Sequence, residues 1–585
     1  MTVRNTGMAL FTEWGEKTDL KAPWQEYPRM LMQRDSYYNL NGLWEYQITE
    51  RRAEPDPAKW KKIIVPYPLG SALCGSEEQL EPGKALWYRK QFAYKPGVMH
   101  TWLNFEAVDM ECTVFVNGIQ VGTHKGGYTP FSFDISEMVK YQNALMVRCI
   151  DDTNYGKWGY GKQKVEHGGM WYTPSSGIWG TVWLEDTCEH AVQDLKITPD
   201  YDASTVHVDL AGDFSQALVT VASHGHVIAS GITDDKQYTA EIRDMHPWSP
   251  DDPFLYDLYV QTEDDVVRSY FGMRKFSAGY DSQGYKRFFL NNKPLFLSGL
   301  LDQGYSPDGL LTYSCNQAMQ WELSKIKDMG YNMLRKHVKI ENRRWYYECD
   351  RLGLLVMQDM PSGGFEQYDF LTMGLLPNIG FRHMDDTKIQ RFTRNDEDSR
   401  ERYYQELDEM LNDLYNEPCI FAWVPFNEGW GQFESRAVTK HIRNYDSTRL
   451  IDSASGWHDQ GCGDFDSIHS YFFPYHVRED KHKRIIFLSE FGGYTHVESA
   501  HCEPVKVYGY RKFNDRIALD EAVNKLYSEQ ILPNIPKGLA GCVYTQVSDV
   551  EDECNGIFTA DRKVVKIDER KMRKMNERCI RRLKK

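Results

Sequence analysis

Over residues 1–190, apolar and polar positions alternate in short runs. These are KKIIVPYPL (61–69), ALWYRKQFAY (85–94), HTWLNFEAV (100–108), CTVFVNGIQVGTH (112–124), ALMVRCI (144–150) and GTVWLE (180–185). A period of two marks strands with one face buried. Asn117-Gly118 lies between two such runs, and that dipeptide favours a tight hairpin turn. Many short strands without a helical period predict a β-sandwich or jelly roll. Residues 191–278 keep this rhythm and are long enough for one further small sandwich, with SYFGMRKF (269–276) as its closing strand.

After residue 279 the pattern changes to apolar runs alternating with helical periods. The strand runs are PLFLSGL (294–300), YNMLRKHV (331–338), LLVMQDM (354–360), CIFAWVPFNE (419–428), RLIDSAS (449–455), FDSIHSY (465–471), RIIFLSEFGG (484–493) and GLAGCVYTQVSDV (538–550). Eight βα steps in residues 279–585 predict a (β/α)8 TIM barrel. The basic tail KMRKMNERCIRRLKK reads as a solvated terminal helix.

Composition narrows the function. With 69 basic and 84 acidic residues the net charge is −15, which argues against nucleic acid and anionic membranes as partners. No window approaches the ~20 apolar residues of a membrane span. The N-terminus lacks a signal-peptide core, so a cytoplasmic protein is expected. The 12 cysteines form no CxxC pair and no metal-type spacing with histidine, which predicts reduced, mostly buried thiols and no legible metal site. No redox cofactor is implied. Self-association is left open.

In a TIM barrel, chemistry sits at the C-terminal strand ends. There the sequence places Asp302, Arg335, His337, Asp359, Asn427, Glu428, His469, Tyr471, Glu490, Tyr544 and Gln546. Glu428 and Glu490 each end an apolar run, and a buried glutamate without a task is costly. Two carboxyl groups converging on one mouth are what glycoside hydrolysis needs, one as acid, the other as nucleophile or base. A structural ion pair with arginine is the alternative for either. Arg335 is the natural cation to keep Glu490 charged. Asn427 suits a sugar hydroxyl. His337 and His469 are candidates for sugar contacts, with satisfied core histidines as the alternative. Asp302 is placed to take two sugar hydroxyls or to cap a turn, Asp359 to do the same or to pair with a barrel arginine. Tyr544 is a stacking platform or core.

PFNEGWGQ (425–432) and LSEFGG (488–493) resemble the two active-site signatures of glycoside hydrolase family 2. YPRMLMQRDSYYNLNGLWEYQI (27–48), GGMWYTPSSGIWGTVWLE (168–185) and FGMRK (271–275) resemble its opening segment, the end of its sugar-binding domain and its junction into the barrel. The resemblance implies a jelly roll (1–190), an immunoglobulin-like sandwich (191–278) and a catalytic TIM barrel (279–585). It implies a retaining exo-β-glycosidase with Glu428 as acid/base, Glu490 as nucleophile and Tyr471 as a hydrogen-bond donor to Glu490. The substrate would be a glycoside or oligosaccharide, with β-galactoside the first choice and β-glucuronide or β-mannoside the rivals. Family β-glucuronidases carry Asn-x-Lys before a GIFT-like stretch. Here GIFTADRK (556–563) follows Glu553-Cys554-Asn555, so the lysine is missing and an acid stands in place of the asparagine. Arg335-Lys336-His337 also departs from the Arg-x-x-His spacing of family β-galactosidases. A carbohydrate-binding protein without catalysis is the reading from another class.

Overall fold

The computed structural model describes residues 10–97, 99–364, 370–378, 383–392 and 394–583. Near the N-terminus a four-stranded sheet (Tyr38–Asn39, Val182–Thr187, His100–Phe105, Phe131–Asp134) faces a six-stranded one built from Lys61–Val65, Gly42–Glu50, Lys84–Ala93, Gln142–Ile150, Glu111–Val116 and Ile119–Lys125. This is the jelly roll. Asn117 and Gly118 join its last pair with φ of 52° and 83°, the left-handed geometry that a two-residue hairpin demands. The immunoglobulin-like sandwich pairs a three-stranded sheet (Val192–Asp200, Thr205–Gly212, Gln237–Glu241) with a four-stranded one (His226–Thr233, Ala217–Ser223, Tyr256–Gln261, Val266–Phe271). It has its own core, including Val206, Val208, Val219, Val221, Leu258 and Val260.

The barrel strands are β1 Leu297–Asp302, β2 Met333–Lys336, β3 Leu355–Asp359, β4 Ile420–Val424, β5 Leu450–Ile451, β6 Phe465–Ser470, β7 Ile485–Gly492 and β8 Leu539–Thr545. They form one parallel sheet in the order β5-β4-β3-β2-β1-β8-β7-β6. The edge strands β5 and β6 meet through Asp464, whose N–H donates to Ile451 O and whose carboxylate accepts from Ile451 N. Around it lie α1 Asn316–Asp328, α2 Arg343–Leu352, α3 Glu397–Leu414, α4 Ser435–Tyr445 and α5 Arg516–Leu526. Asn342 caps α2 by accepting from Trp345 N, and Gly353 ends it at φ 70°. The connections 452–464 and 471–484 carry no helix, so fewer than eight βα steps are complete.

Two features differ from the sequence reading. The start of the region read as barrel, including Pro294 of its first expected strand, forms a hairpin instead, Lys286–Leu290 with Lys293–Pro294, turned by Asn291 and Asn292 at φ 51° and 62°. Arg287 from this hairpin donates to Leu539 O and Ile535 O, and so closes the base of the barrel. The tail helix α6, Glu569–Leu583, is not solvated all round. Met572, Met575, Asn576 and Cys579 recur at helical spacing and are buried, and Asn576 bonds Ser298 and the carbonyl of Met329. Burying each such apolar side chain contributes roughly 1.5–3 kcal/mol. Among the described residues, no helix is long and apolar enough to cross a membrane.

Candidate active site

Strand alternation decides which β2 residues reach the mouth. Arg335 points into the barrel, and Lys336 points out onto the ring of Trp345 in α2, 4.0 Å from its centroid. Arg335 is fully buried and organises the site. Its Nε and Nη2 donate to the two oxygens of Asp359, both at 3.0 Å. Its Nη1 donates to Glu490 Oε1 at 3.0 Å, and its Nη2 to Asn427 Oδ1 at 2.8 Å. One planar cation thus fixes Asp359 on β3, Glu490 on β7 and Asn427 just beyond β4, which a point-charge lysine could not do. His337 Nδ1 lies 2.8 Å from Asp359 Oδ2, and burial drives its pKa well below the usual histidine range.

Glu490 ends the apolar stretch of β7. Its Oε2 accepts from Tyr471 at 2.5 Å, while Oε1 faces Arg335. Tyr471 also meets Thr545 Oγ1 at 2.9 Å and stacks on Tyr510 with ring centroids 3.9 Å apart. Glu428 follows β4 at φ 51°, its N–H donating to Ser455 O. Its Oε1 lies 2.7 Å from His469 Nδ1. Burial pushes the Glu428 carboxyl up to about 7, against the opposing pull of Lys162 and Arg335. One oxygen from each glutamate and one His469 ring nitrogen lie within 4.8 Å of one another. A carboxyl protonated near neutrality therefore stands beside another that is held by a guanidinium and a phenol. Such a pair can deliver a proton and a nucleophile to one bond. Asn427 Nδ2 is buried without a hydrogen-bond partner, a donor available to a ligand hydroxyl.

Two expected residues stand elsewhere. Asp302 pairs in register with Lys336 and shares its outward direction. Its Oδ1 caps Gly304 N and its Oδ2 binds Lys336 Nζ at 2.7 Å, so both oxygens are committed away from the mouth. Tyr544 pairs with Leu300, also on the outward side, and its ring packs against Phe491, Tyr527 and the bare Cα of Gly492. It is core, and Thr545 is the β8 residue that faces Tyr471.

The sequence leads us to expect that the sandwich domains wall off a pocket, but it does not name the residues of that wall. Segment 158–173 of the jelly roll crosses to the barrel, where the N–H groups of Tyr160 and Gly161 donate to Ser362 O. It brings Trp158, Tyr160 and Trp171 against Trp430 and Met373. Trp171 and Trp430 have centroids 5.2 Å apart, and Trp430 meets His337 edge-on at 6.3 Å. Lys162 Nζ lies 3.6 Å from Glu553 Oε2, which also accepts from Tyr172. Tyr508 and Tyr510 come from the loop after β7. Apart from the run of tryptophans, nothing in the sequence marks these distant segments as neighbours.

The domain order and the paired carboxyls define the class: two β-sandwich domains and a TIM barrel whose mouth holds two glutamates. Family models agree along the chain. "Glycosyl hydrolase 2 galactose-binding domain-like" matches residues 76–176, "Glycosyl hydrolases family 2" matches 184–274, and "Glycosyl hydrolases family 2, TIM barrel domain" matches 283–498. The chain belongs to glycoside hydrolase family 2. It is 27% identical to a β-galactosidase of Thermoanaerobacter pseudethanolicus over 58% of this chain and 44% of that one. It is 23% identical to a β-glucuronidase of Streptococcus agalactiae over 69% and 68%. The chain thus spans about half the length of several curated relatives it matches, 44%, 48% and 40% for three of them. A solved β-glucuronidase from an uncultured Clostridium species shares the fold at a TM-score of 0.73 and 18% identity, covering 94% of this chain and 99% of that one.

Proposed function

We propose that this protein is a retaining exo-β-glycosidase, with Glu428 as acid/base and Glu490 as nucleophile. The observation that carries the reading is that one oxygen of each carboxyl lies within 4.8 Å of an oxygen of the other, with one carboxyl raised to about 7 and the other held by Arg335 and Tyr471. Carboxyls about 5–5.5 Å apart suit retention, whereas an intervening water for inversion needs about 6.5–9.5 Å. Glu428 donates its proton to the leaving oxygen as Glu490 attacks the anomeric carbon. The covalent glycosyl-enzyme is then opened by water, whose proton returns to Glu428. Asn427 Nδ2 binds the 2-hydroxyl, a contact that tightens as positive charge develops on the ring. The aromatic wall of Trp171, Trp430 and Tyr508 supports a pocket for a terminal sugar.

The pairing of Lys162 with Glu553 supports a neutral glycone, and β-galactoside is our first choice. Lys162 itself favours a second reading, β-glucuronide, if the substrate carboxylate replaces Glu553 as its partner. A panel of nitrophenyl β-glycosides run on wild type and Glu490→Gln separates these. Hydrolysis of one β-linked member with retained anomeric configuration, lost in the variant, is expected. Inverted product removes the retaining reading. Silence across the panel leaves two readings, an unusual glycone outside the panel or a carbohydrate-binding protein on a glycosidase frame.

A further inference from the structure

Behind the mouth, the loop after β7 meets the loop after β8 at a small buried group: Cys502, Cys554 and Asp549. They are 4%, 0% and 1% exposed, and one ligand atom of each lies within 4.8 Å of the others. Apolar Ala560, Leu10 and Val497 surround the two thiols. The Cys502 thiol donates to Glu498 O at 3.3 Å, and the Cys554 thiol faces Glu551 O at 3.9 Å. Asp549 Oδ1 accepts from Gly556 N and Lys566 Nζ, but its Oδ2 is buried with no hydrogen-bond partner. Lys566 already balances the charge of Asp549, but the second carboxylate oxygen, buried beside two thiols, still lacks a donor or a metal to satisfy it.

We infer that Cys502, Cys554 and Asp549 form a site for a zinc-class divalent cation that ties the β7 loop to the β8 loop. Thiolates select borderline-soft metals over magnesium or calcium. Binding releases the two thiol protons to solvent. Two thiolates and one carboxylate then balance the dication and the Lys566 ammonium, so the buried group stays neutral overall. Two thiolates at 2.3 Å in a tetrahedral site stand about 3.8 Å apart, a spacing that falls inside the 4.8 Å that bounds the ligand atoms here. Water fills the fourth position. The consequence is mechanical. The β7 loop carries Tyr508 and Tyr510, and the β8 loop carries Glu553, so the metal fixes two walls of the pocket without touching the reacting atoms.

The test uses the full-length protein, reduced, stripped with chelator and titrated with Co2+. One equivalent is expected to give a thiolate-to-cobalt charge-transfer band, displaced by Zn2+, with a rise in Tm on zinc binding. Cys502→Ser and Cys554→Ser each remove the band, and Cys462→Ser keeps it. Asp549→Asn weakens Co2+ binding by about 10–100-fold or more. Cobalt bound at the Glu428–His469–Glu490 group gives no thiolate band, so that outcome counts against the proposal. The proposal is also overturned if reduced wild type shows no band, if the band survives both serine variants, or if mild oxidation removes two thiols from a protein that takes up no metal.

Discussion

Glu428→Gln is the most direct test of the proposed chemistry. The Glu428 side chain is 15% exposed, and its carboxyl is raised from 4.5 to about 7. At about 1.36 kcal/mol per pH unit, this disfavours the ionised form by roughly 3 kcal/mol. The acid is then almost wholly protonated at pH 5 and almost wholly ionised at pH 9. Since kcat/KM reports groups of the free enzyme, the wild type should show a basic limb near pH 7 that falls about tenfold per pH unit. In Glu428→Gln that limb should vanish. At the pH 5 plateau, kcat/KM should drop by about 10²–10⁴-fold for a substrate with a poor leaving group. For a nitrophenol, which leaves without protonation, the loss in the first step should be much smaller. The assay is kcat/KM from pH 4 to 9 on an alkyl and a nitrophenyl glycoside of the same sugar. An unchanged basic limb in the variant would assign the pH dependence to another group and refute the reasoning.

Other expectations follow from the same contacts. Lys162→Met removes a cation that favours ionised Glu428, so the basic limb should move to higher pH; Glu553→Gln removes an opposing anion and should move it lower. Tyr471→Phe deletes the phenol bond to Glu490 and should cost about 1.5–3 kcal/mol, or about 10–100-fold in kcat/KM, with Tm little changed. Arg335→Met strands Asp359 and Glu490 without their cation and should destabilise the fold by about 3–5 kcal/mol, read as a lower denaturation midpoint. Beneath the immunoglobulin-like domain, burial raises Asp350 to about 6, and burial with the charge of Asp350 holds Glu417 well above the carboxylate range. Folded pKa values above the unfolded ones mean that the folded pair binds more protons. Its contribution is therefore greatest below about pH 4 and is lost as pH rises through 6. Glu417→Gln should flatten that fall, and an unchanged Tm–pH slope would exclude the pair as its source.

The domain order was legible because each layer writes a different period into the chain: two in the sandwiches, and apolar runs alternating with helical spacing in the barrel. The two glutamates were legible because each ends a run that is otherwise apolar. Asp302 and Tyr544 were misread for a shared reason. Both lie at C-terminal strand ends, but only alternate residues there face the mouth. The parity of one strand is tied to the next through register, Leu301 with Arg335 and Leu300 with Tyr544. A single sequence fixes alternation within a strand and leaves the offset between strands open.

The wall of the pocket raises a different difficulty. Lys162 and Trp171 stand more than 250 positions before Glu428 and reach it because their segment bonds to the barrel at Ser362, Glu551, Asp552 and Glu553. Strand-end logic searches the barrel alone and passes over them. Yet Lys162 pulls against the burial that raises Glu428, and Glu553, beside the Cys502–Cys554 group, pulls the other way. The jelly roll thus helps to set the acidity of a barrel residue. A swap of residues 158–173 should therefore move the basic limb as well as the choice of glycone, whereas a passive sugar-binding domain would move only KM.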